Sequence, residues 1–293
     1  MATLNQWVAG ARPRTLPAAV APVLVGTAAA HLLGRADAGL ALLALIVSLA
    51  LQIGVNYAND YSDGIRGTDE ARVGPVRLVG QRLAAPRSVK LAAFGWFGIA
   101  GLAGWTLIAL SGAWILLPLG ALAVLAAWRY TGGDSPYGYR GLGEVYVFLF
   151  FGLMATLGTQ YTQAATLTWF GVLGAVGVGA IASAILVANN LRDIPTDTEH
   201  GKRTLAVRLG DTSTRRLYAG LLLVSVAALG GMVALGTWWV VIALASLALA
   251  VKPLQVVLGG AQGRALIPAL AGTGLYEIGY AVLILVGVAV SMP

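Results

Sequence analysis

The sequence has no cysteine and few charged residues. The absence of cysteine among its 293 residues excludes disulfides and thiolate metal sites. Its two histidines, His31 and His200, are far apart in the chain, which argues against a histidine metal site. Charged residues make up only 11% of the chain, compared with about 25% in soluble domains. This composition excludes an ordinary soluble globular protein.

Hydrophobic residues, in contrast, make up 58% of the chain, and the mean hydropathy is +0.80. A transmembrane helix needs roughly 20 mainly apolar residues. The sequence therefore predicts an all-α polytopic membrane protein in which residues 1–293 form a single domain, with nine transmembrane helices in one bundle. The predicted spans are approximately 15–33, 39–60, 88–110, 112–129, 144–163, 168–191, 216–236, 238–255 and 265–290.

Positive charge is distributed unevenly about these spans. If the N-terminus is cytoplasmic, every Lys and Arg except Arg35 falls on the cytoplasmic side. Cytoplasmic loops of membrane proteins carry an excess of Lys and Arg. We therefore interpret the formal net charge of +7 as a record of orientation and not as a sign of nucleic-acid binding. The expected location is the cytoplasmic membrane, with several spans.

Two polar motifs, residues 56–69 and 189–203, lie at the predicted cytoplasmic ends of the second and sixth spans. Each contains Asn-x-x-x-Asp, at Asn59/Asp63 and at Asn189/Asp193, and residues four apart share one face of a helix. Spans four apart in sequence run in the same direction, which indicates a parallel internal duplication. We expect both motifs to contribute to one site that faces the cytoplasm.

The motifs combine acidic and basic side chains, which indicates the class of ligand. Acidic residues near membrane depth are costly and usually mark a site, although helix-end carboxylates can simply be solvated. Mg²⁺ is held by a few carboxylates together with phosphate oxygens and water. Nearby Arg and Lys residues therefore favour a magnesium diphosphate over a bare cation, and in an apolar bundle the expected ligand is a prenyl diphosphate. These basic residues are Arg66, Arg72, Arg77, Lys202, Arg203 and Arg208.

Aromatic residues cluster at the same predicted helix ends. Their faces can stabilise the cationic allylic carbon that a departing diphosphate leaves behind, although any single tyrosine is as well explained by interfacial anchoring. The residues are Tyr57, Tyr61, Tyr130, Tyr137, Tyr139, Tyr146 and Phe148.

The motifs resemble those of a known family. Asn59-Asp60-Tyr61-x-Asp63 and Asn189-x-x-x-Asp193-x-x-x-Asp197 are similar to the paired aspartate motifs of the UbiA superfamily of intramembrane prenyltransferases. Three further stretches resemble its MenA branch: Arg72-Val-Gly-Pro-Val-Arg77, Tyr137-Gly-Tyr139-Arg140-Gly-Leu-Gly-Glu144, and Asn190-Leu-Arg-Asp193 through Lys202-Arg-Thr-Leu-Ala-Val-Arg208.

The resemblance implies a Mg²⁺-dependent aromatic prenyltransferase that joins a polyprenyl diphosphate to 1,4-dihydroxy-2-naphthoate, with loss of diphosphate and CO₂, to give demethylmenaquinone. The implied metal ligands are Asn59, Asp60, Asp63, Asp69, Asn189, Asp193 and Asp197. The implied catalytic residues are Asp63, Arg77, Asp193, Asp197 and Lys202. The implied substrate-binding residues are Asn56, Tyr61, Arg66, Arg72, Tyr139, Arg140, Asn190 and Arg208. The loop from Tyr137 to Glu144 would border the aromatic acceptor.

The sequence departs from the superfamily pattern at two places. Gly67 stands where many members carry the third acid of the first motif, and Asp69 follows two residues later, so a direct role of Asp69 at the metal stays open. Asp134 stands where a neutral residue is expected. Two polar residues inside predicted spans, Gln52 and Glu277, are interpreted as side chains bonded to a neighbouring helix, or else as part of the wall of a substrate tunnel.

Two other functions stay open. A secondary transporter of an anionic substrate also has internal repeats, but it would place its charged groups near the bilayer midplane, whereas these acids lie at one surface. A sibling transferase would use another acceptor, such as 4-hydroxybenzoate, a chlorophyllide, haem or a sugar phosphate. Prenyl chain length, the general base and the oligomeric state do not follow from the sequence.

Overall fold

The computed structural model describes residues 2–67, 76–133 and 136–292, and these ranges are helical and contain no β-strand. The all-α class is therefore confirmed. The α-helices are α1 (Leu4–Gly10), α2 (Pro17–His31), α3 (Ala38–Ile65), α4 (Pro86–Ser111), α5 (Leu116–Arg129), α6 (Gly143–Val147), α7 (Ala155–Ala164), α8 (Trp169–Glu199), α9 (Leu205–Leu235), α10 (Leu247–Leu258) and α11 (Ile267–Ser291).

Shorter helical turns extend several of these helices. A π-helical segment, Phe148–Met154, joins α6 to α7, so that Gly143–Ala164 is one continuous helix. The 3₁₀ segments Trp238–Ser246 and Gly263–Leu266 lead into α10 and α11. Every predicted span thus coincides with a helix.

Length separates the helices into two groups. Within the described residues, seven are long and apolar enough to cross a membrane, whereas α2 and α5 have only 15 and 14 residues. At 1.5 Å per residue these two helices are about 21–23 Å long, less than the roughly 30 Å of a bilayer core. The protein is a multi-pass membrane protein, and the count of nine spans stays a prediction.

The helices that carry the two motifs are longer than predicted. We expected spans to end near residues 60 and 191, but α3 continues to Ile65 and α8 to Glu199. Several of the polar residues that continue these helices are buried among other protein groups, namely Asp60, Ser62, Asp63, Arg192, Asp193 and Asp197. Both helices are followed by a glycine in the left-handed region, Gly67 at φ 74° and Gly201 at φ 69°, a conformation that glycine adopts without steric cost.

α8 is the central helix of the bundle and is buried along most of its length. Small residues allow its neighbours to approach closely. A Cβ added to Gly152 of the π-helical segment would lie 2.5 Å from the Cα of Gly179 on α8. The two backbones are therefore in contact at this crossing, and no larger residue fits between them.

Buried apolar side chains form two main clusters. The larger joins α2, α8, α9, α10 and α11 and includes Tyr218, Ile181 and Ile284. The smaller joins α1, α3, α4 and the segment before α4, and includes Tyr57 and Phe97. The inner faces of α3 and α8 border a cavity between the two clusters, and the two polar motifs lie at one end of it.

Candidate active site

A cavity of about 370 Å³ is bordered by α2, α3, α4, α5, α8 and the continuous helix Gly143–Ala164. Along α3 its lining runs from Ala44 to Asp63, about 28 Å of helix at 1.5 Å per residue. Most of its wall is apolar, and charged and amide side chains gather at one end. The polar lining residues that were predicted as site residues are Asn56, Asn59, Asp63, Arg77, Tyr139, Asn189, Asn190, Asp197 and Lys202.

The first motif presents Asn59 and Asp63 to the cavity from the last two turns of α3. Both side chains are buried. The hydroxyl of Thr131 donates a hydrogen bond to Asn59 Oδ1 at 2.8 Å, and the hydroxyl of Tyr139 donates one to Asp63 Oδ1. The α5–α6 connection is therefore attached directly to the first motif.

The second motif presents Asn189 and Asp197 to the cavity from α8. Asp193 is buried but is bound by Arg192, whose Nε and Nη2 lie 2.7 Å and 2.8 Å from its two oxygens. Arg192 Nη2 also donates to Asn189 Oδ1 at 2.8 Å. Arg192 thus neutralises Asp193 inside the protein.

Lys202 joins the two motifs. Its ammonium lies 3.5 Å from Asp63 Oδ1 on α3, while its backbone N–H donates to the carbonyl of Asp197 on α8 at 2.8 Å. The left-handed turn at Gly201 directs the chain back toward the cavity. The ammonium also lies 4.5 Å from the ring centroid of Tyr139, a distance at which cation–π attraction is effective.

Arg66, predicted to bind substrate, instead binds the connection between α5 and α6 in this structure. Its guanidinium donates to the carbonyls of Thr131 and Gly133 and lies 5.4 Å from the ring centroid of Tyr139. It does not line the cavity. Arg66 therefore attaches the α5–α6 connection to the end of α3.

Two further residues predicted to belong to the site, Asp60 and Tyr61, do not line the cavity. Asp60, predicted as a metal ligand, uses both carboxylate oxygens to accept from the backbone N–H groups of Leu78 and Val79, at 2.7 Å and 3.0 Å. Tyr61, predicted to bind substrate, stacks on Trp128 at 6.1 Å between centroids. Both residues are rotated away from the cavity because neighbouring residues on a helix point about 100° apart.

The remaining predicted residues divide between the cavity and the surface. Arg77 is buried and lines the cavity. Arg140 and Arg208 are exposed and do not line it, and Arg208 Nε donates to the carbonyl of Arg203 at 3.2 Å. Asp69, Arg72 and Asp134 lie outside the described residues.

A polar group inside the cavity was only partly anticipated. The amides of Gln52 and Asn56 both donate to Thr15 Oγ1, at 2.8 Å and 3.2 Å, and Asn56 also donates to the carbonyl of Ala11 at 2.9 Å. Gln52 thus lines the cavity and is hydrogen-bonded to the segment before α2.

Glu277 is fully buried, and among the described residues neither of its carboxyl oxygens has a hydrogen-bond partner, so the interhelical bond we expected is not seen.

Aromatic rings form one wall of the cavity. Tyr137 stacks on Tyr146 at 3.9 Å between centroids, Tyr146 on Phe150 at 6.0 Å, and Tyr130 meets Tyr137 edge-on at 5.4 Å. The hydroxyl of Tyr137 donates to the carbonyl of Ala126 at 2.9 Å. Burial, with smaller contributions from Tyr130 and Tyr146, raises the pKa of Tyr137, so its ring stays neutral.

The oxygen groups at the polar end suit a hard cation that brings further ligands. Within the described ranges, no three His, Cys, Asp or Glu side chains are close enough to hold a metal unaided. Asn59, Asp63, Asn189 and Asp197 nevertheless line one cavity with amide and carboxylate groups. Asn59 Oδ1 and Asn189 Oδ1 already accept from Thr131 and Arg192, which leaves each a second lone pair. Mg²⁺ typically uses only one or two carboxylates and completes its shell with phosphate and water. This donor set fits Mg²⁺ bound together with a phosphorylated ligand.

Comparison with known proteins identifies prenyltransferases as relatives of this chain. The model of the UbiA prenyltransferase family matches residues 19–265. The chain is 57% identical, over 94% of each chain, to a Mycobacterium tuberculosis protein named 1,4-dihydroxy-2-naphthoate octaprenyltransferase. It is 42% identical to an Escherichia coli protein of the same name, over 76% of this chain and 74% of the relative.

Solved structures show the same fold at low sequence identity. A UbiA homolog from Archaeoglobus fulgidus bound to DMAPP and Mg²⁺ has a TM-score of 0.65 at 13% identity, covering 97% of this chain and 99% of that one. The apo structure of a UbiA homolog from Aeropyrum pernix has a TM-score of 0.70 at 15% identity, covering 94% and 98%.

Proposed function

Because the chain belongs to the UbiA prenyltransferase family, we propose that it is a Mg²⁺-dependent aromatic prenyltransferase that uses 1,4-dihydroxy-2-naphthoate as acceptor. It transfers the chain of a polyprenyl diphosphate, releases diphosphate and CO₂, and gives demethylmenaquinone in its quinol form. The observation that carries this proposal is a charged oxygen-rich end on a long apolar cavity. The names of the relatives support the acceptor.

The metal would be held by Asn59, Asp63, Asn189 and Asp197, which line the polar end from α3 and α8. Asp193 can join them if Arg192 releases its carboxylate. The Archaeoglobus neighbour that contains Mg²⁺ and DMAPP supports this use of the fold. Bound Mg²⁺ would supply positive charge to the diphosphate as its bond to the prenyl carbon breaks. Asp60 is left out because both of its oxygens are engaged with backbone N–H groups.

Lys202 and Arg77 would hold the diphosphate. Both side chains are buried and line the polar end of the cavity. Preorganised cationic groups at a leaving group stabilise the charge that develops on it. The ammonium of Lys202, 3.5 Å from Asp63 Oδ1, would pair with a phosphate oxygen while Asp63 serves as a metal ligand.

The aromatic wall would stabilise the prenyl cation and receive the flat acceptor. When the carbon–oxygen bond breaks, the allylic carbon becomes cationic, and ring faces attract cations by about 0.5–2 kcal/mol each. The cavity is lined by Tyr130, Tyr137, Tyr146 and Phe150. A ring carbon of the acceptor then bonds to the prenyl carbon. The diphosphate leaves with the electron pair of the broken carbon–oxygen bond, and the acceptor's carboxyl group is lost as CO₂.

The apolar length of the cavity would hold the prenyl chain. Apart from Ser48, the lining between Ala44 and Leu51 on α3, with Leu107 on α4 and Leu116 on α5, is hydrophobic. The donor's tail could lie there while its diphosphate stays at the polar end. This division between ends also argues against a transporter, which would place its charged groups near the bilayer midplane.

The membrane arrangement completes the proposal. Charge asymmetry supports a cytoplasmic N-terminus and a cytoplasmic site in the cell membrane. The two Asn-x-x-x-Asp motifs, on helices α3 and α8 that border one cavity, agree with the predicted parallel duplication within a single domain.

The test is turnover by the purified full-length protein in lipid. Labelled polyprenyl diphosphate, Mg²⁺ and 1,4-dihydroxy-2-naphthoate should yield prenylated product, diphosphate and CO₂ in equal amounts. A parallel acceptor panel containing 4-hydroxybenzoate distinguishes the sibling reactions. Product from 4-hydroxybenzoate alone would reassign the acceptor, and no product from any acceptor by folded protein would overturn the enzyme proposal.

A further inference from the structure

A buried carboxylate lies behind the aromatic wall, and the proposed mechanism does not use it. Glu144, in the first turn of α6, accepts a hydrogen bond at Oε1 from Nδ2 of Asn190 on α8, at 2.9 Å. Both side chains are buried. Asn190 lines the cavity and Glu144 does not. The pair therefore joins a cavity-facing amide to a carboxylate one layer further out.

The backbone around Glu144 is held in place. Ser183 on α8 donates its hydroxyl to the carbonyl oxygen of Glu144 at 3.3 Å. A Cβ added to the preceding Gly143 would lie 3.2 Å from Leu186 Cδ2 and 3.3 Å from the hydroxyl oxygen of Tyr130. α6 thus packs tightly on α8 at this point.

This contact determines which way the Asn190 amide points. Oε1 of the carboxyl group accepts from Asn190 Nδ2 at 2.9 Å, and a carboxyl oxygen that accepts in this way selects the NH₂ side of the amide. The carbonyl oxygen, Oδ1, is left as the group that Asn190 can offer to the cavity. Since Glu144 Oε2 has no hydrogen-bond partner within the described residues, Asn190 is the side chain that this carboxylate orients.

The surroundings of Asn190 indicate what its oxygen would bind. The helix that contains Glu144 also contributes Tyr146 to the aromatic wall, which lines the same cavity as Asn190. An aromatic acceptor against this wall carries hydroxyl groups in the plane of its ring, and a hydroxyl needs an acceptor atom when it leaves water.

We propose that Glu144 is a positioning residue that fixes the Asn190 amide so that Oδ1 accepts a hydrogen bond from a hydroxyl group of the aromatic acceptor. This inference rests on the proposed function and identifies how the enzyme would recognise a hydroxylated ring. It assigns to Glu144 a role in acceptor affinity and not in binding the prenyl diphosphate or the metal.

The test exchanges the two functional groups of the pair. Asn190→Asp alone places two carboxylates together, and we expect the KM for the naphthoate to rise at least about 10-fold, as for loss of one hydrogen bond of about 1.5 kcal/mol. In Glu144→Gln/Asn190→Asp, the glutamine can donate to Asp and leave the other Asp oxygen facing the cavity. The double variant should recover most of the lost acceptor affinity. Glu144→Leu, which cannot orient the Asn190 amide, should raise the KM for the naphthoate.

Three controls separate this role from a structural one. Thermal unfolding identifies variants that fail to fold, and Glu144→Gln, which keeps an acceptor oxygen, should retain folding and show only a small change in KM. The KM for the prenyl diphosphate and the half-saturating Mg²⁺ concentration should be unchanged in every folded variant. A naphthoate analogue that lacks the bonded hydroxyl should bind wild type and Glu144→Leu equally.

Several results would overturn the inference. One is a change in Mg²⁺ dependence without a change in acceptor KM, which would make Asn190 a metal ligand. Others are failure of the double variant to recover from Asn190→Asp, and equal loss of affinity for hydroxylated and hydroxyl-free acceptors. Wild-type turnover measured alongside distinguishes these results from failure of the proposed function itself.

Discussion

Asp63 is the residue on which the contacts of the polar end converge. Its carboxylate accepts from the hydroxyl of Tyr139, lies 3.5 Å from the ammonium of Lys202, and faces the cavity. Asp63 therefore has two roles, a structural one through Tyr139 and Lys202 and a proposed one as a metal ligand. Substitutions at this residue can separate the two because an amide retains its shape and one acceptor oxygen.

We predict that Asp63→Asn lowers kcat by at least about 10–100-fold, the loss that follows when even an outer-shell partner of a metal ligand is altered, while the protein stays folded. Asparagine can still accept from Tyr139 but carries no charge for Mg²⁺ or Lys202. The measurement is turnover across a Mg²⁺ titration together with thermal unfolding. Near-normal kcat at saturating Mg²⁺ would remove Asp63 from the proposed metal site.

Asp60, three residues earlier, should behave in the opposite way. Its side chain caps the backbone N–H groups of Leu78 and Val79. Asp60→Ala leaves two buried donors unsatisfied, at about 1–3 kcal/mol each, so we predict a marked loss of thermal stability. The concentration of Mg²⁺ needed for half-maximal activity of the folded fraction should stay the same, and a shift in it would return Asp60 to the metal ligands.

At the scale of elements, the site depends on close contact between the helix Gly143–Ala164 and α8. Gly152 and Gly179 meet at their backbones. This contact places the start of α6, and with it Glu144, beside Asn190. The aromatic wall follows from the same packing because Tyr146 and Phe150 belong to the helix that it positions.

Gly152→Ala should therefore destabilise the protein, although alanine is a better helix former than glycine by about 0.5–1 kcal/mol. The added methyl group overlaps the Gly179 backbone, and overpacking of a core costs about 1–3 kcal/mol. Gly220→Ala on α9 is a matched control because its Cβ would meet no atom within 4 Å. Thermal unfolding in one detergent compares the pair, and equal unfolding temperatures would contradict the tight crossing.

At the scale of the whole molecule, a metal shared by α3 and α8 predicts dependence on divalent cation. EDTA should abolish turnover, and excess Mg²⁺ should restore it, because oxygen ligands at the cavity cannot neutralise a diphosphate without a cation. Circular dichroism should show the same helix content in both conditions, since packing holds the bundle together. Full activity in EDTA would contradict metal dependence.

Several features of the molecule followed from the sequence. Apolar segments predicted the positions of the helices, and four-residue spacing predicted that Asn59 and Asp63 would share a face, as their common place in the cavity confirms. Family membership and the named reaction followed from motifs that the comparisons support.

Other features depended on tertiary contacts that no local pattern reveals. Polar residues at the ends of α3 and α8 looked like loops, because hydropathy does not show that other protein groups bury them. Asp60 and Arg66 have the residue types of a metal and a phosphate site, but their partners are backbone groups that the sequence does not place beside them. Glu144 carries no signal of its own until α6 is packed on α8.

The π-helical segment Phe148–Met154 has a consequence for the angular phase of the site. Each turn of a π-helix contains more residues than an α-helical turn, and an α-helix rotates by about 100° per residue. The wider turn therefore absorbs about one extra residue, and if the same residues rewound as a regular α-helix, Gly143–Val147 would rotate by about that angle relative to α7. Glu144 and Tyr146 would then face away from Asn190 and Tyr137, so the site depends on the π-helical winding of this helix as well as on the identity of its residues.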